Sequence, residues 1–392
     1  MRRLIPYICM LLMLVACRDD VMVVPFEDIN TGGQAVKGEI VGMYLLNEGN
    51  MGSNKATLDY LDLSGNDETV HYLRNIYASR NPTTVMALGD VGNDIQIYGS
   101  RLWLVVNCSN KVEVARATDA VRIGKVDIPN CRYVSFHGGY AYVSSYVGTQ
   151  YASSNSPLGS VYQVDTLTLQ KIDSVSVGYQ PEEMAILDKR LYVANSGGYQ
   201  GMTGQGYEHT VSVVDLTTMR ETDRIEVAPN LHHLKADRYG QLWVTSRGNY
   251  MDLDACIYWL EKGADGQMQV GGKIDQPVSD LCIVGDSLYF YGSQWSEVTM
   301  TNTVTYGIIN VRTHQVVCNR LSESDAIRQI RMPYGIIVNP QERDFYLMDA
   351  KNYVSSGELL HFLPDGTFDW KVKTGDIPAH AVFLYKDKTM KE

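Results

Sequence analysis

The spacing of its prolines constrains this chain more than any other feature. Seven of the twelve prolines follow one another at intervals of 47, 52, 48, 48, 56 and 45 residues. They are Pro82, Pro129, Pro181, Pro229, Pro277, Pro333 and Pro378. After most of them come an apolar run, a tight turn and a second run with an aromatic residue near its start. A period of roughly 40 to 50 residues in a β-rich chain is typical of a β-propeller, because a single four-stranded blade buries its faces only against neighbouring blades.

The third repeat shows the expected order of four strands. Residues 184–187 are predicted as a first strand, and residues 191–195 as a second strand after a tight turn. After a long loop, residues 210–216 alternate between apolar and polar side chains, which predicts a third strand. A polar fourth strand is expected to end near Val227.

The two ends of the chain complete each other. Residues 43–46 have the pattern of a second strand that no first strand precedes, and residues 380–385 have that of a first strand with nothing after it. Pairing the two gives seven blades and removes both open sheet edges. The sequence therefore predicts an all-β, seven-bladed β-propeller over residues 40–386, closed by a C-terminal first strand in the N-terminal blade. Residues 323–330 are expected to form a short helix or turn.

The first 16 residues have the pattern of a secretory signal. Two arginines precede an apolar stretch that is too short to span a bilayer. The end of this stretch, Leu14-Val15-Ala16-Cys17, looks like a bacterial lipoprotein cleavage site and predicts acylation of Cys17. A plain signal with an incidental cysteine is the alternative. We expect residues 17–39 to form a lipidated tether and residues 387–392 a C-terminal tail.

Charge and cysteine content narrow the possible partners. The formal net charge is −11, and it becomes −13 once residues 1–16 and their two arginines are removed. This balance argues against binding to nucleic acids. Besides Cys9 and Cys17, five cysteines remain, without the spacing of a metal site. Cys108 and Cys131 are candidates for a disulfide, and buried free thiols are the favoured alternative.

The loops after second strands and before first strands are rich in Tyr, Asn, Gln, Gly and Ser. The chain has 26 Tyr against 7 Phe, and tyrosine combines a rigid apolar face with a hydroxyl, while amides both donate and accept. In a propeller these loops share one face, which predicts a recognition surface for a bulky, neutral ligand rich in amides or hydroxyls. Turn formation is the alternative for single Asn and Gly residues. By loop placement alone, the candidate ligand-binding residues are Asn50, Arg80, Asn107, Arg132, Tyr146, Tyr179, Asn195, Tyr199, His232, Arg247, Tyr250, Trp295, Tyr334, Asn352, Tyr353 and His380.

Evidence for catalysis in the sequence is weaker. Glu182-Glu183, His232-His233, Asp280 and His380 are expected near the axis, where propeller lactonases or lyases hold a metal. Such residues at strand starts are more often solvated or bonded to neighbouring loops. We therefore expect no enzymatic activity, no metal and no cofactor. A metal-dependent lactonase-like or lyase-like enzyme is the less favoured alternative.

Several phrases of the sequence resemble a known family. They are Cys17-Arg18-Asp19-Asp20, Leu46-Asn47-Glu48-Gly49 and, among the proline-headed blades, Leu191-Tyr192-Val193-Ala194-Asn195. The mature chain is similar throughout to the YncE-like propeller lipoproteins of Bacteroidetes, in particular the BtuG type that captures cobalamin. The resemblance implies a lipid-anchored receptor for cobalamin and related corrinoids, facing the cell exterior at the outer membrane. It also implies a BtuB-type, TonB-dependent outer-membrane transporter that receives the ligand. A propeller that binds a glycan or a peptide is the alternative.

Overall fold

The structure, a computed structural model, describes residues 24–34, 38–65, 69–83, 87–296 and 301–386. Within these residues 29 strands form seven antiparallel sheets, which are the blades of a propeller. The prediction of an all-β, seven-bladed β-propeller is therefore confirmed. In the described ranges three short helices interrupt the repeats: α1 (Ile76–Arg80), α2 (Gly198–Met202) and α3 (Asp325–Arg328). The last lies inside the segment for which a helix or turn is expected.

The strands follow one another blade by blade, from the axis outward. The first blade contains β1 (Glu27–Gln34), β2 (Ile40–Asn47), β3 (Thr57–Asp62), β4 (Thr69–Arg74) and β29 (Pro378–Tyr385). The next three contain β5 (Gly92–Tyr98), β6 (Arg101–Val106), β7 (Lys111–Arg116) and β8 (Arg122–Asp127); β9 (Cys131–His137), β10 (Tyr140–Ser145), β11 (Ser160–Asp165) and β12 (Lys171–Ser176); and β13 (Pro181–Leu187), β14 (Arg190–Asn195), β15 (Thr210–Asp215) and β16 (Arg220–Glu226). The last three contain β17 (Leu231–Ala236), β18 (Leu242–Ser246), β19 (Cys256–Lys262) and β20 (Met268–Ile274); β21 (Asp280–Val284), β22 (Ser287–Ser296), β23 (Thr301–Asn310) and β24 (Gln315–Cys318); and β25 (Pro333–Val338), β26 (Phe345–Asp349), β27 (Ser356–Phe362) and β28 (Phe368–Asp376).

The ring closes where the sequence predicts it. Strand β29 is the innermost strand of the first blade and pairs antiparallel with β2, so that Met43 lies opposite Phe383 and Leu45 opposite Ala381. Met43 is fully buried and Phe383 is nearly so. This pairing joins the two ends of the chain into one sheet and covers the edge that β2 would otherwise leave open.

The N-terminal segment differs from the expected tether. Strand β1 pairs with β4 and adds a fifth, outermost strand to the first blade. Gly33 lies against the indole of Trp370, and a Cβ at this position would overlap that ring. The polar sequence of β1 gave no strand signal because an outermost strand has few apolar contacts to make. Residues 27–34 are thus part of the sheet rather than of a tether.

The recurring prolines mark the starts of first strands in six of the seven repeats. Pro181, Pro333 and Pro378 are the first residues of their strands. Pro82 is the exception, because ten residues separate it from Gly92, where β5 begins. Proline suits a strand start because its missing N–H removes no hydrogen bond from the ladder.

Apolar side chains fill the spaces between neighbouring blades. The aromatic residues of the second strands are central to this packing: Trp103, Tyr142 and Trp243 are almost completely buried. All five cysteines of the described residues are free thiols, and Cys108 and Cys131 form no disulfide; Cys131 and Cys256 are buried and the other three are partly buried, so the favoured reading of buried free thiols holds in part. None of the helices in the described part of the chain is long and apolar enough to cross a membrane.

Candidate ligand-binding face

One face of the ring gathers the loops that the sequence singles out. First strands begin where second strands end, as shown by the pairs Pro181–Asn195 and Leu231–Ser246. We call this side the mouth face. The tight turns between first and second strands, and between third and fourth strands, lie on the opposite face. Hydrogen-bonding side chains from different blades therefore converge around the axis at the mouth face.

The outermost polar groups around the axis form a set that we call the mouth layer. It consists of Glu48, Arg132, Tyr146, Glu182, His232, Arg247 and Tyr334. Each residue either starts a first strand or follows a second strand. Their contacts divide the layer into three groups.

The first group surrounds the carboxylate of Glu182, whose side chain is only 1% exposed. Arg132 donates from Nε at 3.1 Å and from Nη2 at 3.0 Å to Oε2 of Glu182. The Tyr146 hydroxyl donates to Oε1, and the Arg132 guanidinium lies 4.8 Å from the centre of the Tyr146 ring. Asn93 accepts a further hydrogen bond from Arg132. Glu182 thus fixes the position of both an arginine and a tyrosine.

The second group contains His232 and Arg247. Nε2 of His232 lies 2.9 Å from Nη2 of Arg247 and 3.0 Å from the Tyr133 hydroxyl. A guanidinium can only donate, so this nitrogen of His232 must be the unprotonated acceptor. Burial, and then the charge of Arg247, lower the pKa of His232 well below its ordinary value. The imidazole is therefore neutral.

The third group joins the first blade to its neighbour. Glu48 accepts from the Tyr334 hydroxyl at 3.2 Å and lies 3.2 Å from Nε2 of His380. Burial by itself lowers the pKa of His380, but the hydrogen bond with Glu48 and the charges of Glu48, Asp94 and Asp280 together outweigh burial, and the pKa is raised overall. Glu48 and His380 therefore form an ion pair over part of the pH range in which a free histidine is neutral.

Below the mouth layer, the first strands enclose a cavity of about 300 Å³ on the axis. Seven of its polar lining residues form what we call the axial layer: Asp94, Tyr133, Glu183, His233, Lys235, Asp280 and His380. Beyond these groups the lining becomes apolar, with Ile95, Ile283 and Ile336 among its residues. The polar groups are thus concentrated on the side of the mouth.

Charges in the axial layer are largely paired with one another. Glu183 accepts from Lys235 and from the backbone N–H of Leu234, and its Oε2 lies 3.0 Å from Nδ1 of His233. Although burial by itself raises the pKa of Glu183, its contacts with Lys235 and His233 lower that pKa to about 2. Burial by itself lowers the pKa of Lys235, but the charge of Glu183 raises it above its ordinary value. The pair therefore stays ionised over a wide pH range.

Exposed apolar side chains surround the mouth layer. Among the described residues, eight large apolar side chains are exposed on mouth-face loops, and we call them the apolar rim: Met51, Tyr151, Leu158, Met202, Tyr250, Met251, Leu253 and Val354. Tyr250 is 72% exposed and Met251 is 91% exposed. Only three such residues, Leu167, Tyr239 and Leu363, occupy turns of the opposite face. Exposed apolar surface gathered on one side indicates a binding surface.

The structure brings many of the predicted site residues together. Arg132, Tyr146, His232, Arg247, Tyr334 and His380 belong to the two layers. Tyr199 packs edge-on against Tyr146, Tyr353 against Tyr334, and Tyr250 against Tyr207. Asn50 donates a hydrogen bond to the carbonyl of Tyr353. The backbone N–H of Tyr179 donates to Glu208 at 3.2 Å.

Three predicted asparagines have structural roles. Asn195 is fully buried and donates to the hydroxyls of Thr210 and Ser212 at 3.1 and 2.9 Å. Asn107 is buried and donates to Asn130 at 2.8 Å. Asn352 is exposed, and its side-chain oxygen accepts from backbone N–H groups within its own turn. These amides stabilise loops, as the turn-forming alternative anticipates.

Arg80 and Trp295 depart from their predicted places. Arg80 ends α1 and lines a groove with Asp119 on the opposite face, because α1 carries the chain away from the mouth before β5 begins. The prediction of Arg80 as a mouth-face residue is wrong. Trp295 lies within β22 rather than in a loop, since β22 and β23 form a long hairpin. Its side chain lies outside what the structure describes.

Sequence reasoning did not select several polar residues of the site. Glu48, Tyr133, Glu182, Glu183 and Lys235 are missing from the candidate list. A signal was present for the two glutamates, because they occupy the start of the otherwise apolar and buried strand β13. A charged residue in such a strand requires partners. No group of three or more His, Cys, Asp and Glu side chains in the described ranges is arranged to hold a metal ion.

Comparisons with solved structures find many propellers of the same shape. The chain is similar to a periplasmic gluconolactonase of Pseudomonas aeruginosa, with a TM-score of 0.59 and 13% identity over 88% of this chain and 99% of the other. A putative 6-phosphogluconolactonase of Bacteroides uniformis gives a TM-score of 0.57 and 12% identity, over 88% and 100% of the two chains. A quinonprotein alcohol dehydrogenase-like protein of Bacteroides thetaiotaomicron gives 0.53 and 12%, over 88% and 78%.

No protein-family model matches the chain, and the search of curated proteins finds no match. The prediction that the chain is not an enzyme is wrong on these comparisons, because two of the three propellers just described are named as lactonases. Absence of catalysis therefore does not follow from the fold. At 10–13% identity the likeness shows the fold alone. The comparisons establish a seven-bladed β-propeller with lactonase-like and quinoprotein-like structural neighbours.

Proposed function

We propose that the mouth face captures a broad ligand with a flat apolar body and a fringe of amides or hydroxyls, of the corrinoid class to which cobalamin belongs. One observation carries this proposal: the apolar rim, contributed by loops of five of the seven blades, lies beside a polar mouth layer. A ligand that covers both must be wide enough to reach the rim and must carry hydrogen-bonding groups at its centre and edges. Corrinoids combine these properties.

The shape and rigidity of the face support tight binding. The mouth layer is built from strand ends, and Glu182 holds Arg132 and Tyr146 in place before any ligand arrives. A preformed site loses little conformational entropy on binding. Apolar pockets with a few well-placed polar groups are also the usual form of small-molecule sites.

The proposal extends to the location and partner of the protein. Cleavage before Cys17 and acylation of that residue anchor the chain in the outer membrane, facing the cell exterior. A TonB-dependent transporter then receives the captured ligand. The lipoprotein-like sequence around Cys17 supports the anchor. Anchoring also keeps a released ligand at high local concentration near such a transporter.

Calorimetric titration of the purified protein with cyanocobalamin tests the capture. We expect saturable binding by one ligand per chain. Tyr250→Ala removes an aromatic side chain of the rim and is expected to weaken binding by about tenfold or more. Tyr239→Ala is the matched control, because Tyr239 is exposed on the opposite face, and it is expected to bind like the unaltered protein. If the titration shows no heat of binding and cyanocobalamin does not co-elute with the protein, the proposal is refuted.

Hydrolysis of a hydroxylated lactone is a second candidate function. A specific observation favours it: His232 is a neutral imidazole whose unprotonated nitrogen faces Arg247. If Arg247 turns from His232 to the substrate carbonyl, the freed imidazole nitrogen can take a proton from water, and the guanidinium can stabilise the oxyanion that develops on the carbonyl. The names of the lactonase-like propellers point to the same reaction class.

Proton release from glucono-δ-lactone tests this second candidate. A rate above spontaneous hydrolysis that is lost in His232→Gln would support it. A rate that stays at the spontaneous level for the unaltered protein would exclude this substrate. His209→Gln serves as the control, because His209 is half exposed and lies outside both layers.

A further inference from the structure

Arg247 is the one arginine of the mouth layer without an acidic partner. It follows β18, and its side chain is half-buried. Within the described residues, its guanidinium makes one hydrogen bond, from Nη2 to Nε2 of His232 at 2.9 Å, and no carboxylate lies within ion-pair distance. A partly buried charge is costly unless another group compensates it. Arg247 therefore requires an explanation that the other charges of the mouth do not.

Among the described residues, none of the neighbouring groups forms an ion pair with Arg247. His232 is neutral, since it accepts from Arg247 through an unprotonated nitrogen. Glu182 already accepts two hydrogen bonds from Arg132 and one from Tyr146. Glu48 is engaged with His380 and Tyr334. Arg247 thus has no acidic group of the mouth layer in direct contact, and the charge of Glu182 acts on it only from a distance.

The loop that carries Arg247 is fixed in position. The backbone N–H of Arg247 donates to the carbonyl of Asn230 at 3.0 Å. Gly248 has a φ of +67°, and a Cβ there would overlap the carbonyl of Leu253. The side chain of Asn249 accepts from the backbone N–H of Leu253 at 2.9 Å and closes the turn. The guanidinium is therefore presented by a rigid loop beside the apolar rim.

We propose that Arg247 forms an oxyanion subsite that binds a phosphodiester group of the captured ligand. Guanidinium groups bind phosphate oxygens through paired, charge-assisted hydrogen bonds, and Arg247 has N–H groups left for such a pair. This inference rests on the proposed function, because it names a group that the captured corrinoid must carry. It also refines the sequence-based expectation of a neutral ligand: the ligand is uncharged over most of its surface and carries one anionic group.

Two corrinoids separate the subsite from the rest of the face. Cyanocobalamin carries a phosphodiester in its nucleotide loop, and dicyanocobinamide lacks that loop. We expect Arg247→Gln to weaken cyanocobalamin binding by about 10- to 100-fold, the usual value of a hydrogen bond to a charged group, and to leave dicyanocobinamide binding nearly unchanged. Arg247→Lys keeps the positive charge and is expected to lose less affinity for cyanocobalamin than Arg247→Gln.

Arg190→Gln is the matched control. Arg190 is also half-buried, and its guanidinium donates to a neutral acceptor, Gln267, but it lies on the opposite face. It should leave the binding of both corrinoids unchanged. Equal weakening of both corrinoids by Arg247→Gln, or no weakening of either, would overturn the subsite. Thermal melting of each variant shows that the fold is kept.

If neither corrinoid binds, the proposed capture is refuted but the oxyanion subsite is not. Inorganic phosphate then tests the subsite. Phosphate that raises the melting temperature of the unaltered protein, but not that of Arg247→Gln, would support an oxyanion subsite for another ligand. No effect of phosphate would overturn it. The same melting experiment with gluconate, the product of glucono-δ-lactone hydrolysis, shows whether the subsite also binds a carboxylate.

Discussion

At the scale of single residues, the mouth depends on Glu182. Its carboxylate is almost completely buried and holds both Arg132 and Tyr146. The sequence placed the arginine and the tyrosine at the mouth and the glutamate near the axis, but it did not predict that the glutamate positions the other two, since side-chain pairing between blades is not encoded in any local spacing. For the same reason the sequence alone could not distinguish Asn195, whose side chain stabilises a loop, from an amide that contacts a ligand.

Glu182→Gln is expected to lower the free energy of unfolding by about 3 kcal/mol, because Arg132 then keeps its buried position without an ionised partner. Urea denaturation measures the change. Glu221→Gln provides the control: it breaks the more exposed pair with Arg224 and is expected to cost less than about 1 kcal/mol. Equal costs in the two variants would contradict the central place of Glu182.

Glu183 gives a prediction for acid conditions. Its pKa is held at about 2 in the folded protein, against an ordinary value of 4.5. As the pH falls below about 4.5, the unfolded chain takes up this proton before the folded chain does. Stability is therefore lost between pH 4.5 and pH 2, by about 3 kcal/mol from this group. Above that window the contribution is fully present.

Urea denaturation at several pH values between roughly 5 and 2.5 tests the sign. Glu183→Gln should flatten the decrease in stability, whereas Glu226→Gln, at a position that is 80% exposed, should not. The raised pKa of Asp94, which results from burial, has the opposite effect, but it is common to all three proteins. A decrease of unchanged steepness in Glu183→Gln would show that this carboxylate does not stabilise the fold.

At the scale of strands and helices, repeats were predictable and exceptions were not. The four strands of the third repeat lie within a few residues of their predicted bounds because alternation and turns are local signals. The exceptions are α1, the long β22–β23 hairpin and β1. Strand β1 depends on its pairing with β4, a distant part of the chain. Helix α1 and the β22–β23 hairpin are the elements that moved Arg80 and Trp295 away from their predicted places.

Removal of β1 tests its place in the first blade. A chain that begins at residue 38 should still close its ring, since β29 and β2 remain. We expect it to lose about 1 to 4 kcal/mol of stability, because five cross-strand pairs with β4 disappear. The ion pair of Arg74 with Glu27 is lost as well, while Ser356 still accepts from Arg74. Thermal and urea denaturation against a chain that begins at residue 24 measure the loss.

At the scale of the whole molecule, ring closure was the most predictable feature. Two unmatched patterns at opposite ends of the sequence required each other, and β29 pairs with β2 as expected. The closure could be inferred without knowledge of any side-chain contact, because it follows from the count of strands. The depth of the mouth and its charge balance could not, since they depend on how seven first strands approach one axis.

Truncation after Asp376 tests the role of closure. Without β29, the edge of β2 and the buried side chain of Met43 are exposed, and we expect loss of the single cooperative unfolding transition together with self-association. A synthetic peptide of residues 377–386 added in trans should restore cooperativity. A truncated chain that stays monomeric and unfolds cooperatively would show that the ring is stable without its closing strand β29.

The path of β1 determines how an anchored ring is held. Glu27 lies opposite Arg74, at the end of β4 nearest the mouth, and the carbonyl of Val24 accepts from Asn75 beside it. If Cys17 carries lipid as proposed, the seven-residue step from Val24 to Cys17 reaches at most about 25 Å. An anchor this short, attached on the side of the mouth face, would hold that face toward the bilayer. A bound ligand would then lie between the propeller and the membrane, next to a transporter in that membrane.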